Sequence, residues 1–194
     1  NKVYQILGAK EVFAAFLQGL GQGSYFEPYL KAQFERYVHQ TLPVGGTFAR
    51  MAWNGATWFR APLALPKLKV AEMNERMALF HLENHVYYPF TKLEHGEMDA
   101  VALVDGELYL FLACLNVSHV LRKEVWAKQL KEVLALLPKQ TAIQLVFVVR
   151  DTIFDRCFPQ EGQQMTVFPA AIQTIHEVNQ EGDVHVVPQV MALP

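Results

Sequence analysis

Several things are scarce in this chain, and each scarcity excludes something. Cysteine occurs only as Cys114 and Cys157, without metal-ligand spacing. A disulfide framework or zinc ribbon is therefore excluded as the organising device, and both thiols are expected to be reduced in an intracellular protein. Charge of one sign is scarce too. Lys plus Arg number 17 against 19 Asp plus Glu, a net charge of −2. No global basic field announces a nucleic-acid binder, and any such contact must come from a local patch. No apolar run reaches bilayer length and the start does not read as a signal peptide, so no membrane partner is expected. Internal repeats, low-complexity tracts and convincing linkers are missing as well.

What is present is a sequence of 194 residues, 52% hydrophobic and 19% charged, enough for one domain with a sizeable core. Residues 1–194 are expected to be a single α/β domain. The chain begins with Asn1, and the expectation is a fragment of a longer multidomain protein whose address is encoded elsewhere.

Residues 98–138 organise the rest. Asp105-Gly106 stands between two apolar runs, a strong hairpin signal. The second run, 108–115, is apolar on both alternating faces and should lie at the centre of a sheet. A helix is expected over about 119–137, with Leu121, Val125, Trp126, Leu130, Val133, Leu134 and Leu137 as its apolar stripe and Ser118 as its N-cap. Upstream, helices are expected over 3–20 and 25–42, the second capped by Ser24 and carrying Pro28 in its first turn. Strands over 47–53 and 57–59 flank the turn-forming pair Asn54-Gly55. Residues 73–82 read as strand or helix, and 86–88 as strand. Downstream come a buried strand over 142–149, a turn at 152–154, a loop at 160–164, a helix over 169–178 and a last strand over 184–187.

Four blocks carry a resemblance. The first is Gln33-Phe34-Glu35-Arg36-Tyr37-Val38-His39-Gln40-Thr41-Leu42-Pro43-Val44-Gly45-Gly46. The second is Tyr88-Pro89 followed by Met98-Asp99-Ala100, and the third is Leu108-Tyr109-Leu110-Phe111-Leu112-Ala113-Cys114 with Ser118-His119 behind it. The fourth is Leu145-Val146-Phe147-Val148-Val149 with Phe154. In order and spacing they resemble the C-terminal domain of Crinkler effectors and retrotransposon hot spot (RHS) proteins. That resemblance implies a degenerate restriction-endonuclease-like, PD-(D/E)xK fold: a mixed central sheet flanked by helices. It also implies a site built from a helix glutamate (Glu35), a strand aspartate (Asp99) and E-x-K on the next strand. In such a site carboxylates hold Mg²⁺ and the lysine serves the attacking water.

Leu112 and Cys114 fall where that alignment puts the acid and the base. Leucine cannot ligate a metal and a neutral thiol supplies no fixed cation. No catalytic set is intact, Glu35 and Asp99 are at most weak metal ligands, and no cofactor is expected. Mg²⁺ enters only in an alternative reading, an active nuclease whose missing ligand has moved to Glu97, Asp105 or Glu124. The resemblance implies action in or near the nucleus, or in the cytoplasm as a translocated effector. There the chain would bind DNA, RNA, transcription- or chromatin-associated proteins, or another domain of the parent chain; a purely protein-binding module is the remaining alternative.

Candidate nucleic-acid contacts are His39, His119, Arg122, Lys123 and Lys128, with Lys131 adding to a basic bias that Glu124 and Glu132 dilute. His119 would meet phosphate at a helix N-terminus or simply belong to that end. Trp53, Trp58 and Phe59 would stack bases or pack the sheet. Tyr25, Phe26, Tyr29, Phe34 and Tyr37 exceed one buried stripe, so part of that helix is expected to meet a partner.

Overall fold

A stretch apolar on both faces needs cover on both sides, and that requirement sets the architecture. The computed structural model describes residues 27–55, 57–71, 82–90, 98–118, 120–135, 141–158, 167–181 and 185–194. Helix α1 (Glu27–Thr41) runs into a 3-10 turn (Leu42–Val44). Five short strands follow: β1 (Gly46–Phe48), β2 (Arg50–Trp53), β3 (Trp58–Arg60), β4 (Leu63–Leu65) and β5 (Lys69–Val70). Then come β6 (Val86–Pro89), β7 (Ala100–Val104), β8 (Glu107–Ala113), α2 (Lys123–Leu134) and β9 (Ala142–Arg150). Helices α3 (Asp151–Cys157) and α4 (Pro169–Glu181) precede β10 (Val186–Leu193).

The large sheet has eight strands in the order β3-β2-β10-β9-β8-β7-β6-β5. β6, β7 and β8 form an antiparallel meander, and α2 carries the chain across to β9, which lies parallel to β8. Asp105 (φ 50) and Gly106 (φ 86) close the β7–β8 hairpin, both in the left-handed region that such a two-residue turn demands. The mixed sheet flanked by helices is as expected from the sequence.

Alternation along β8 divides the core. Leu108, Leu110 and Leu112 face one layer, where Trp126 and Leu130 of α2, Phe154 of α3 and Ile175 of α4 cover them. Tyr109, Phe111 and Ala113 face the other, under Phe34 and Val38 of α1 and Leu42 of the 3-10 turn. Each fully buried side chain of this size contributes about 1.5–3 kcal/mol, so both helical layers are anchored by packing rather than by helix propensity. Gly45 (φ 77) ends the α1 segment; a Cβ there would stand 2.7 Å from the backbone of Pro66 and Lys67.

Four expectations need correction. Residues 151–157 form a helix rather than a turn, because Phe154, Cys157 and Phe158 are all buried at helical spacing and the Asp151 carboxylate accepts the Thr152 N–H at 2.7 Å. The last strand reaches Leu193. The expectation is 184–187, yet it continues through Pro188, where β2 has not yet joined β10 and one side of the strand needs no donor. Ser118 does not cap α2: its N–H and hydroxyl both bond Asn116 Oδ1, and the helix starts at Lys123 behind Arg122. The stretch 47–53 divides into β1, paired with β4 as a separate ribbon, and β2 in the main sheet. The expected helix over 3–20, Ser24, and the loop at 160–164 lie outside the described residues, as does nearly all of 73–82.

Candidate functional site

The α1 helix repeats polar residues every four positions beside its buried stripe. Lys31, Glu35 and His39 therefore share one face, next to Phe34 and Val38. Lys31 Nζ lies 3.3 Å from Glu35 Oε1. His39 Nδ1 lies 2.8 Å from the hydroxyl of Tyr87 on β6, with the two rings edge to face.

Asp99 joins them through an irregularity at the start of β7. Phe111 stands opposite Ala100, yet the Asp99 N–H also bonds Phe111 O at 2.9 Å. Two residues thus face one, the arrangement of a β-bulge, which re-aims a side chain. The Asp99 carboxylate accepts the N–H of Ala113, the last residue of β8, at 2.6 Å. Ala113 is 2% exposed, so that donor would otherwise be unpaired in the core.

The electrostatics follow from this placement. Burial opposes the Lys31 charge, but the carboxylates of Asp99 and Glu35 outweigh it and hold the ammonium above its ordinary pKa. Burial lowers His39, only partly offset by Glu35, which favours a neutral imidazole. Burial and then Asp99 push the Tyr87 phenol well above its usual range, so it remains a hydroxyl. The cluster is one cation, two carboxylates and a neutral histidine–tyrosine pair. Among the described residues no group of three or more His, Cys, Asp or Glu side chains is placed to hold a metal ion. Two carboxylates with an ammonium between their charges do not make the multi-oxygen site that a hard cation requires.

Glu35, His39 and Asp99 are therefore brought together, and the other candidates among the described residues lie elsewhere or in the layer across β8. Leu112 and Cys114 belong to the opposite layer, among the residues beneath α2. Near Asp99 the side chains of β8 on the α1 face are Phe111 and Ala113, with Tyr109 and Glu107 farther along the strand. Leu112 is therefore not beside Asp99, while Cys114, packed in the other cluster, stays within electrostatic reach of Asp99 and Lys31. The reason is the two-residue period: a strand turns over with each step, and an alignment one position out reads the wrong face. Burial, then Asp99, raises the Cys114 thiol well above its usual pKa, and Sγ contacts Leu112 O at 3.7 Å. It is an inert core thiol.

Two of the three migrated-ligand candidates, Asp105 and Glu124, stand away from Asp99. Asp105 sits at the hairpin tip, bonded to His85 Nε2 at 2.8 Å, at the far end of β8 from Ala113. Glu124 is on α2, across the sheet, and Glu97 and His119 lie outside the described residues. Arg122, Lys123 and Lys128 also belong to the α2 side. Lys123 pairs with Glu177 of α4 at 3.2 Å and Lys128 approaches Glu132 to 3.9 Å. Phe34 is fully buried and Tyr37 donates its hydroxyl to Pro194 O at 2.7 Å, so neither serves as a free aromatic surface; Tyr25 and Phe26 lie outside the described residues.

Lys31 and Tyr87 are members that the sequence reading missed. For Lys31 a signal existed, since it stands four residues before Glu35 and eight before His39. For Tyr87 there was none, because its partner is 48 residues away. Comparison with protein-family models, curated proteins and solved structures found no match.

Proposed function

We propose that this chain is a catalytically degenerate nuclease-fold module of the Crinkler/RHS kind, which acts in or near the nucleus by binding nucleic acid or transcription- and chromatin-associated proteins. The order helix, three-stranded meander, crossover helix, parallel strand is compatible with a restriction-endonuclease-like core. The single observation that carries the loss of catalysis is the α1 face of β8. Next to Asp99 that face presents Phe111 and Ala113, neither an acid nor a base, with Glu107 at the other end of the strand bonded to Tyr109, while Asp99 is occupied by the Ala113 N–H. A site missing two members of a set that acts together loses most of its rate. Lys31 supplies a cation at the same place, a group suited to a phosphate.

The test has two arms. DNA and RNA incubated with Mg²⁺ or Mn²⁺ should remain intact. Metal-dependent cleavage abolished by Asp99→Ala would overturn the reading and restore the active nuclease. Electrophoretic shifts across a salt series should show binding that weakens steeply with salt, with the slope about 0.9 shallower in Lys31→Ala if that ammonium meets one phosphate. No shift at low salt would leave the fold with protein partners alone.

A further inference from the structure

We propose that the slot between the β2–β3 turn and helix α4 binds an uncharged heteroaromatic ring of the nucleobase class, stacked on Trp53. The slot lies on the α2–α4 side of the sheet and is separate from the Lys31–Asp99 cluster. It goes beyond the reading above and does not depend on it.

The slot has a volume of about 610 Å³, within the size of small-molecule sites. One wall is the Trp53 indole, and the opposite wall is Ile172 and Ile175 on α4. The floor is the start of β10, from Val186 to Pro188. These walls are held in place before any ligand arrives. Trp53 leans on Trp58 at 5.3 Å between ring centroids, and Trp58 on Phe158 at 6.0 Å. Asn54 closes the turn with both its Oδ1 and its N–H on the backbone of Thr57, at 2.8 and 3.2 Å. Asn179 clips α4 to the floor, with its amide bonded to both the N–H and the carbonyl of Val186 at 2.9 and 3.0 Å. A rigid aromatic wall loses little freedom on binding, which is the condition for a stacking site.

The rim states what kind of ring fits. Gln173, His176 and His185 line it and are all exposed. The Gln173 amide donates to Glu177 at 3.0 Å and His176 Nε2 meets Gln180 at 2.8 Å, which leaves the Gln173 amide oxygen, His176 Nδ1 and the His185 ring as edges for a ligand. Among the described residues no Lys, Arg, Asp or Glu lines the slot. From these residues a phosphate would find no counter-charge and a cation no carboxylate. A neutral ring with donors and acceptors on its edge would find both a stacking face and edge partners. The ring can come as a free nucleoside or as an unpaired base of a strand, and the chemistry is the same.

Adenosine, cytidine and uridine, all uncharged, are titrated into the protein by calorimetry and by tryptophan fluorescence. At least one is expected to bind with little dependence on salt and to quench the emission. Trp53→Ala should weaken binding about 5- to 150-fold, the range of base–aromatic stacking. Trp53→Phe, the milder change, should keep calorimetric binding within a few-fold while the quenching falls to the part that the half-buried Trp58 contributes, since Trp126 is fully buried. A single-stranded oligonucleotide that displaces the nucleoside identifies the strand as a source of the base; one that does not identifies the free nucleoside. Absence of nucleoside binding, quenching that survives unchanged in Trp53→Phe, or binding of N-acetyltryptophanamide in place of every nucleoside would each overturn the proposal. Salt-sensitive retention of an oligonucleotide without nucleoside binding would also sink it, while leaving the proposed function standing.

Discussion

Replacing Asp99 separates a carboxylate that holds the fold from one kept for a ligand. Its oxygen accepts the Ala113 N–H at 2.6 Å, beside the Lys31 charge, and Ala113 is 2% exposed. A hydrogen bond to a charged group contributes about 1.5–3 kcal/mol, and an orphaned buried donor costs about 1–3 kcal/mol. These describe the same event from two sides and do not add. Asp99→Ala should therefore destabilise by about 2–3 kcal/mol, which for a chain of this size is a fall of about 4–12 °C in Tm. Asp99→Asn keeps an acceptor oxygen but loses the charge, and should cost about 1 kcal/mol. Urea unfolding followed by far-UV circular dichroism measures both. The midpoints should order wild type above Asn above Ala with an unchanged slope. Functional carboxylates crowded for a ligand commonly leave a protein more stable when removed. If Asp99→Ala matches or exceeds the wild type, Asp99 does not serve as the cap on β8 and the structural reading of this residue fails.

Three further outcomes are expected. Burial holds the folded His39 below the usual histidine pKa of about 6.5, so just below that pH the unfolded chain binds more protons than the folded one; stability should fall as pH drops through about 6.5, and the urea midpoint of His39→Gln should lack that component. The double variant Leu112→Glu, Cys114→Lys should lose its cooperative unfolding transition and gain no cleavage, because both charges enter the buried layer beneath α2 and Leu112 faces away from Asp99. Cleavage by a folded double variant would show that the face assignment is wrong. Gly45→Ala should destabilise by more than about 1 kcal/mol, read from the same unfolding curves, since its φ is 77 and the new Cβ would meet Pro66 and Lys67 backbone at 2.7 Å.

The features legible in the sequence were those written in local chemistry. Asp105-Gly106 specified its hairpin, the doubly apolar run specified the central strand, and the spacing of Trp126, Leu130 and Val133 specified the buried face of α2. What was not legible came from partners distant in sequence. The run of the last strand past Val187 was not legible because it depends on where β2 joins β10, with Gln189 opposite Ala52, 137 positions earlier. Ser118 looked like a cap because nothing in its own identity says that Asn116 will take both of its polar groups. The helix at 151–157 was lost for a different reason: seven residues are too few for periodicity to speak, and Phe154 with Cys157 reads equally as a turn.

The site turns on a face, which spacing along a strand cannot decide alone. Met98-Asp99-Ala100 suggests a strand in which Asp99 and Ala100 point to opposite sides, and on that assumption Asp99 shares its side with Leu112. The bulge breaks the alternation. With Phe111 serving both Asp99 and Ala100, the carboxylate comes to the Ala113 N–H and to the charge of Lys31, on the layer where Ala100, Phe111 and Ala113 already pack under α1. Leu112 stays on the other side, in contact with the α2 layer. A helix supplies the cation at this place, yet one ammonium, Lys31, stands against two carboxylates, Glu35 and Asp99, so with His39 and Tyr87 neutral the cluster is net negative. The second carboxylate is not left free, because Asp99 commits an oxygen to the Ala113 N–H, and an anion reaching Lys31 from outside would compete with Glu35 for the ammonium.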